Sequence, residues 1–170
     1  MCGISGIWNL SGANVNGQET IRSMNNSLRH RGPDDEGTWS DSTHELFLGH
    51  RRLSIIDTSA AGHQPMISDK GTVVVFNGEI YNYKELKSRF FPGFSFRSGS
   101  DTEVLLLLYE KFGHDCLQYL NGMFAFALWD PELQELFMAR DRAGEKPFYY
   151  TFHKGVFAFA SELRALLKLP

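Results

Sequence analysis

The stretch that decides the fold lies in the last third of the chain, where MFAFALWD (123–130), LFMARD (136–141), KPFYYTF (146–152) and GVFAFAS (155–161) follow one another. Each run is short and apolar, and turn-forming residues separate it from the next, which is typical of β-strands. Consecutive strands with short connections predict antiparallel pairing. This part of the chain is therefore expected to be sheet.

The rest of the sequence divides into further strands and helices. Strands are predicted at GISGIW (3–8), 45–56 and 72–80, and helices over 17–28, from Asn82, from Ser100 or Asp101 to Gly113, and over 162–167. Residues 29–37, RHRGPDDEG, are predicted to be a loop because Gly32 and Pro33 interrupt any periodicity. Groups of strands separated by helices favour an α+β fold, with two antiparallel sheets between helical layers.

Composition limits the possible functions. A chain of 170 residues fits one domain, and its net charge of −3 provides no basic field for nucleic acid or an anionic membrane. The N-terminus lacks the features of a signal peptide, so we expect a cytoplasmic protein. The two cysteines, Cys2 and Cys116, form no CxxC pair, and the six histidines lack metal-site spacing, so neither a disulfide nor a metal site is expected.

Cys2 is the first candidate for chemistry. Removal of Met1 would place its thiol beside a free α-amine, whose reference pKa of about 7.7 to 8.0 leaves a neutral fraction able to accept the thiol proton. The alternative is that Cys2 is a small apolar residue entering a buried strand. Cys116, in HDCLQYL (114–120), lies on a predicted helix among apolar neighbours and is predicted to serve packing.

Three further positions have two interpretations each. Asn77 and Gly78, at the end of a predicted strand, could offer a side-chain NH2 and a backbone N–H to a developing oxyanion, or form a hairpin turn. Arg52 could hold a substrate carboxylate or form a salt bridge on an edge strand, with Arg51 pointing to the other face. Asp101 could bind a cationic amino group or cap a helix.

Taken together and in order, eight blocks resemble the class II glutamine amidotransferase domain, most closely the N-terminal half of glutamine-hydrolysing asparagine synthetases. The blocks span nearly the whole chain: MCGISGI, LRHRGPDDEG, GHRRLSIID, VFNGEIYNY, GSDTEVLL, LNGMFAFALWD, ARDRAGEKPFYY and FASELRALL. The resemblance implies a type 2 glutamine amidotransferase domain over residues 1–170, with the αββα sandwich of N-terminal nucleophile hydrolases.

The resemblance also implies a role for each candidate residue. Cys2 would be the nucleophile and its α-amine the base, while Asn77 and Gly78 would form the oxyanion hole. Arg52 would bind the α-carboxylate of glutamine and Asp101 its α-amino group. The pocket would be framed by Glu79, Gly99 and Ser100.

Glutamine hydrolysis by this mechanism needs no metal or organic cofactor. The family's ATP and Mg²⁺ chemistry belongs to a synthetase domain that amidates aspartate, and no SGGxDS-like phosphate loop occurs in this sequence. A synthetase domain or subunit is the expected partner, and a homodimer stays open. Two alternatives remain: the same glutaminase serving another acceptor, such as a sugar in polysaccharide synthesis, or a non-catalytic module that binds glutamine or a protein partner.

Overall fold

The structure, a computed structural model, describes residues 1–170 and contains two antiparallel β-sheets. The strand order is β2-β3-β1-β9-β8 in the first sheet and β4-β5-β6-β7 in the second. The strands are β1 Gly3–Asn9, β2 Asp35–Asp41, β3 Leu46–Arg52, β4 Met66–Ile67, β5 Val73–Ile80, β6 Gly122–Asp130, β7 Glu135–Arg140, β8 Tyr149–His153 and β9 Val156–Ala160.

Helices cover the outer face of each sheet. Helices α1 and α4 share an apolar cluster with β1 and β9, whereas α2 and α3 share another with β5 and β6. The helices are α1 Gly17–Ser27, α2 Tyr83–Phe90, α3 Asp101–Phe112 and α4 Leu163–Leu166, with 3-10 turns at Ala60–Gly62 and Gly113–Tyr119. None of these helices has the length and apolarity needed to cross a membrane.

The alternation of side chains along β5 explains how the layers pack. Val73 and Val75 enter the core between the two sheets, while Val74 and Phe76 face α3. All four are buried because a strand in the inner layer of a sandwich is covered on both faces. The predicted αββα architecture is confirmed.

The predicted boundaries needed several corrections. The predicted loop 29–37 is wrong at its end, because Asp35 to Gly37 begin β2, an edge strand paired with β3. The strand predicted over 45–56 ends at Arg52, and the closing helix covers only Leu163–Leu166. The four strands of the last third are confirmed, although residues 146–148 precede β8 rather than belong to it.

Candidate active site

One cavity of about 90 Å³ gathers nearly all the residues singled out in the sequence. It opens where the start of β1, the ends of β3 and β5, and the first turn of α3 meet. The predicted residues that line it are Cys2, Arg52, Asn77, Gly78, Glu79, Ser100 and Asp101. Gly99 is the exception, since it lies outside the lining.

Cys2 stands immediately before β1, with its sulfur against the backbone of Leu53. The Leu53 N–H points at Sγ over 3.4 Å, and the thiol lies 3.7 Å from the Leu53 carbonyl oxygen. Burial raises the pKa of the Cys2 thiol above its ordinary value, although the Leu53 N–H, the N-terminal charge and Arg52 act in the opposite sense. The thiol is therefore protonated at neutral pH, and any reaction at sulfur requires a base.

Arg31 fixes the backbone of Cys2, a role that the sequence analysis missed. Its Nε donates to the Cys2 carbonyl oxygen over 2.8 Å, and its Nη1 lies 3.0 Å from Glu162 Oε1. Burial works against ionisation of Glu162, yet hydrogen bonds from Arg31 and His30 hold its pKa below the ordinary value. The only signal in the sequence was the position of Arg31 inside LRHRGPDDEG.

Arg52 ends β3 and sends a buried guanidinium toward the cavity. Its Nη1 donates to Ser59 O over 2.8 Å and its Nη2 to Asp57 O, and no carboxylate pairs with it. Gly62 lies so close to Nη2 that a Cβ there would collide with it. A buried cation held only by carbonyl groups is suited to binding a carboxylate.

The structure excludes one of the two interpretations of Arg52. Strand β3 lies between β1 and β2, so the hypothesis of a salt bridge on an edge strand is wrong. Arg51 points to the opposite face, as predicted, where its Nε donates to Asn25 O over 3.1 Å and its Nη2 to Asn26 Oδ1 over 2.7 Å. Adjacent arginines therefore belong to different environments.

Asp101 begins α3, but the cap of that helix is Ser100, whose Oγ accepts from Thr102 N over 3.1 Å. The Asp101 carboxylate is thus free of capping, and its Oδ2 instead accepts from Ile80 N over 2.8 Å. Burial raises the pKa of Asp101, and the nearby charge of Glu79 adds to the effect. Two carboxylates at one wall of the cavity favour a cationic ligand.

Asn77 and Gly78 lie within β5, as the strand predicted over 72–80 requires, so the hairpin interpretation is wrong. Asn77 is 1% exposed and its Nδ2 has no hydrogen-bond partner. A Cβ at Gly78 would collide with Met123 O and Phe124 of the paired strand. A buried amide without an acceptor is costly, which makes Nδ2 a donor available to a ligand.

Gly99 acts on the cavity indirectly, through a residue that lines it. Its N–H donates to Asp57 Oδ2 over 2.8 Å, and Asp57 lines the cavity. Hydrogen bonds from Ser59 and from the Gly99 N–H lower the pKa of Asp57. Gly99 therefore steadies the loop whose carbonyl groups hold Arg52, and its part in framing the pocket stays a prediction.

The chain contains no group of three histidine, cysteine or acidic side chains arranged to bind a metal ion. The chemical groups at the cavity include a thiol, an unpartnered amide donor, a buried guanidinium, a lysine ammonium and three carboxylates. Such a set can bind a zwitterionic amino acid and present a carbonyl to sulfur.

Comparison with known proteins identifies the family. A model described as a glutamine amidotransferase domain matches residues 1–170. A putative asparagine synthetase (glutamine-hydrolyzing) 2 of Methanocaldococcus jannaschii is 42% identical, covering 98% of this chain and 35% of that protein. Asparagine synthetase (glutamine-hydrolyzing) 3 of Bacillus subtilis is 43% identical, covering 100% of this chain and 28% of that protein. The chain thus spans about a third or less of the length of these relatives.

Solved structures agree on the fold. Glutamine phosphoribosylpyrophosphate amidotransferase from B. subtilis superposes with a TM-score of 0.82 at 24% identity, covering 97% of this chain and 43% of that one. This likeness confirms the fold, a sandwich of two antiparallel sheets between helical layers. Fold, family model and relatives agree that the chain belongs to the glutamine amidotransferase domain family of enzymes, in the form found in asparagine synthetase-like proteins.

Proposed function

We propose that this chain hydrolyses glutamine to glutamate and ammonia through a γ-glutamyl thioester on Cys2. The observation that carries the proposal is the buried, unpartnered Nδ2 of Asn77 in the same cavity as the Cys2 thiol. An amide donor without an acceptor, beside a candidate nucleophile, is suited to the oxyanion of acyl transfer.

The base in this mechanism is the α-amine of Cys2. While Met1 is attached, the Cys2 nitrogen is an amide and cannot accept a proton, and Met1 itself lines the cavity. Removal of Met1 frees the amine, which can then accept the proton of the Cys2 thiol. Arg31, bonded to the Cys2 carbonyl oxygen, holds this residue in place.

Acylation begins when the Cys2 thiolate attacks the side-chain carbonyl carbon of glutamine. The carbonyl π electrons move to oxygen, where Asn77 Nδ2 and the Gly78 N–H stabilise the negative charge. Collapse of this intermediate breaks the C–N bond, and the leaving nitrogen takes the proton held by the Cys2 amine. Ammonia departs and the thioester remains.

Deacylation follows the same path with water. The Cys2 amine accepts a proton from water as the oxygen adds to the thioester, and the same donors stabilise the second oxyanion. Collapse expels the thiolate, which recovers its proton from the amine. Glutamate leaves and the enzyme returns to its starting state, with no cofactor consumed.

Substrate recognition rests on opposite charges at two walls. Arg52 binds the α-carboxylate of glutamine, while Asp101 and Glu79 bind its α-ammonium group, with Ser100 beside them. Glutamine within a peptide lacks both charges and would leave buried groups unpaired, at a cost of several kcal/mol. Free glutamine is therefore the substrate.

The ammonia serves a synthetase domain that amidates aspartate to asparagine. Relatives named glutamine-hydrolyzing asparagine synthetases, matched over nearly all of this chain, support this acceptor. Residues 1–170 act as the glutaminase domain, and ATP and Mg²⁺ are needed only by the synthetase partner. The domain alone is expected to yield glutamate without asparagine, even with aspartate, ATP and Mg²⁺ present.

The decisive experiment measures intact mass before and after treatment with 6-diazo-5-oxo-L-norleucine, a glutamine mimic that alkylates activated nucleophiles. A chain lacking Met1 should gain one adduct, located at Cys2 by peptide mapping. A control chain that retains Met1 should gain none. If a processed chain binds glutamine but forms no adduct, the proposal that it is an enzyme fails and the chain is a non-catalytic glutamine-binding module.

A further inference from the structure

One edge of β5 lacks a strand partner over its second half. Strand β4 has only two residues, and its pairing reaches no further along β5 than Val74. Because backbone groups alternate between the two edges of a strand, Phe76, Gly78 and Ile80 direct their N–H and C=O groups toward this open edge. The opposite edge of β5 pairs with β6 over its whole length.

On either side of Gly78, side chains form the hydrogen bonds to β5 that a neighbouring strand would otherwise form. Phe76 N donates to Gln64 Oε1 over 2.7 Å, and Phe76 O lies 3.0 Å from His50 Nε2. Ile80 N donates to Asp101 Oδ2 over 2.8 Å. Hydrogen bonds of this kind satisfy buried backbone groups that a sheet would otherwise pair.

Of the side chains that bind this edge of β5, Gln64 also forms a hydrogen bond to helix α3. It is 5% exposed, lines the cavity, and its Nε2 donates to Thr102 Oγ1 over 3.3 Å in the first turn of α3. One carboxamide thus joins β5, which carries Asn77, to the helix that begins with Asp101. Both hydrogen-bonding functions of Gln64 are used within the protein.

The arrangement has a chemical reason. A neighbouring strand on this edge would occupy the Gly78 N–H, which would then be unable to bind an oxyanion. An unpaired edge, however, leaves the strand held by backbone hydrogen bonds to β6 alone. We propose that Gln64 is a positioning residue, which holds Phe76 so that the Asn77 and Gly78 donors stay aligned while the edge remains open. This inference rests on the proposed glutaminase function.

The test compares glutamine hydrolysis by the full chain, with removal of Met1 verified by mass, and by Gln64→Met. Methionine fills similar space but offers no acceptor to Phe76 N. Displacement of the donors is expected to lower kcat about 10- to 100-fold. The KM for glutamine should change by less than about threefold, because Arg52 and Asp101 still bind the substrate.

Two further variants supply rescue and control. Gln64→Glu keeps an acceptor for Phe76 N and is expected to recover most of the kcat lost in Gln64→Met. Ser68→Ala removes another buried side chain that caps β5, since Ser68 Oγ accepts from Thr72 N over 3.2 Å at the far end of the strand. This control should lower the melting temperature and leave kcat unchanged.

Each outcome has one meaning. Normal kcat in Gln64→Met, an effect mainly on KM, or an equal loss in Ser68→Ala would overturn the positioning role. If Gln64→Met fails to fold, Gln64→Asn, too short to span to Phe76, decides in its place by the same criteria. If the unsubstituted, processed chain hydrolyses no glutamine, the proposed function itself fails, and this result is distinct from any difference among variants.

Discussion

The two cysteines occupy opposite kinds of environment, although burial raises the pKa of both thiols. Cys116 lies in the 3-10 turn after α3, is fully buried in the apolar core, and its pKa rises to about 12 through burial and then the charge of Asp115. Cys2 is only half-buried, faces a cavity, and receives the Leu53 N–H. In the proposed mechanism, reactivity is thus set by access and by an adjacent base rather than by the thiol alone.

Substitution of each cysteine by alanine tests the difference between the two thiols. Cys2→Ala should abolish glutamine hydrolysis, because both the thioester and its nucleophile are lost. Cys116→Ala should leave kcat unchanged and lower the free energy of unfolding by about 1 kcal/mol, since only packing is removed. Glutamate release and urea unfolding measure the two quantities. Equal loss of activity in both variants would sink the assignment.

Asn77 and Asn25 are both buried, but the side-chain NH2 of Asn77 has no hydrogen-bond partner whereas that of Asn25 has two. Asn77→Ala should lower kcat about 100- to 1000-fold with a smaller effect on KM, as expected for removal of an oxyanion donor. Asn25 is the matched control, because its Nδ2 already donates to Gly37 O and His50 O. Asn25→Ala should reduce the melting temperature without this loss of kcat, and the reverse pattern would contradict the proposal.

The adjacent arginines extend the comparison to substrate binding. Arg52→Ala should raise the KM for glutamine about 100-fold, because a buried charge pair with the carboxylate disappears. Arg51→Ala, on the helix-facing side, should destabilise the fold and leave KM near its normal value. Steady-state kinetics of glutamine hydrolysis measure the KM of both variants. An unchanged KM in Arg52→Ala would show that another residue holds the carboxylate.

The smallest effect concerns His50, a buried group that touches the strand carrying the oxyanion donors. Burial lowers its pKa from 6.5 to about 4, so the unfolded chain binds a proton that the folded chain excludes. Stability is therefore retained above pH 6.5 and lost as pH falls, by about 2 kcal/mol between about pH 7.5 and 5. His50→Gln should flatten this part of the urea-unfolding profile. An identical slope in both proteins would refute the assignment.

Much of the fold followed from local patterns in the sequence. Alternating or continuous apolar runs located β5 and the four strands of the last third, because a strand buried in a sandwich must be apolar on its covered faces. Strand β2 was missed for the same reason. Its residues Asp35–Asp41 are almost entirely polar, and they form a strand only because β3 offers a partner.

The candidate site was predictable where a residue's chemical type is the signal. The sequence singled out Cys2, Arg52 and Asp101, and the structure brings all three to one cavity. It gave no reason to select Gln64 or Arg31, whose contacts join residues 12 and 29 positions apart along the chain. Such contacts exist only once distant segments have folded together.

Local sequence patterns were sufficient to predict the family, the strands of the two sheets and the candidate residues of the site. The folded chain was needed to show that Asn77 and Gly78 lie in a strand rather than a turn, that Gly99 binds Asp57, and that Ser100 caps α3 in place of Asp101. The physical reason is that propensity acts over a few residues. Whether a backbone N–H is paired or left open depends on which strand, far away in sequence, stops beside it.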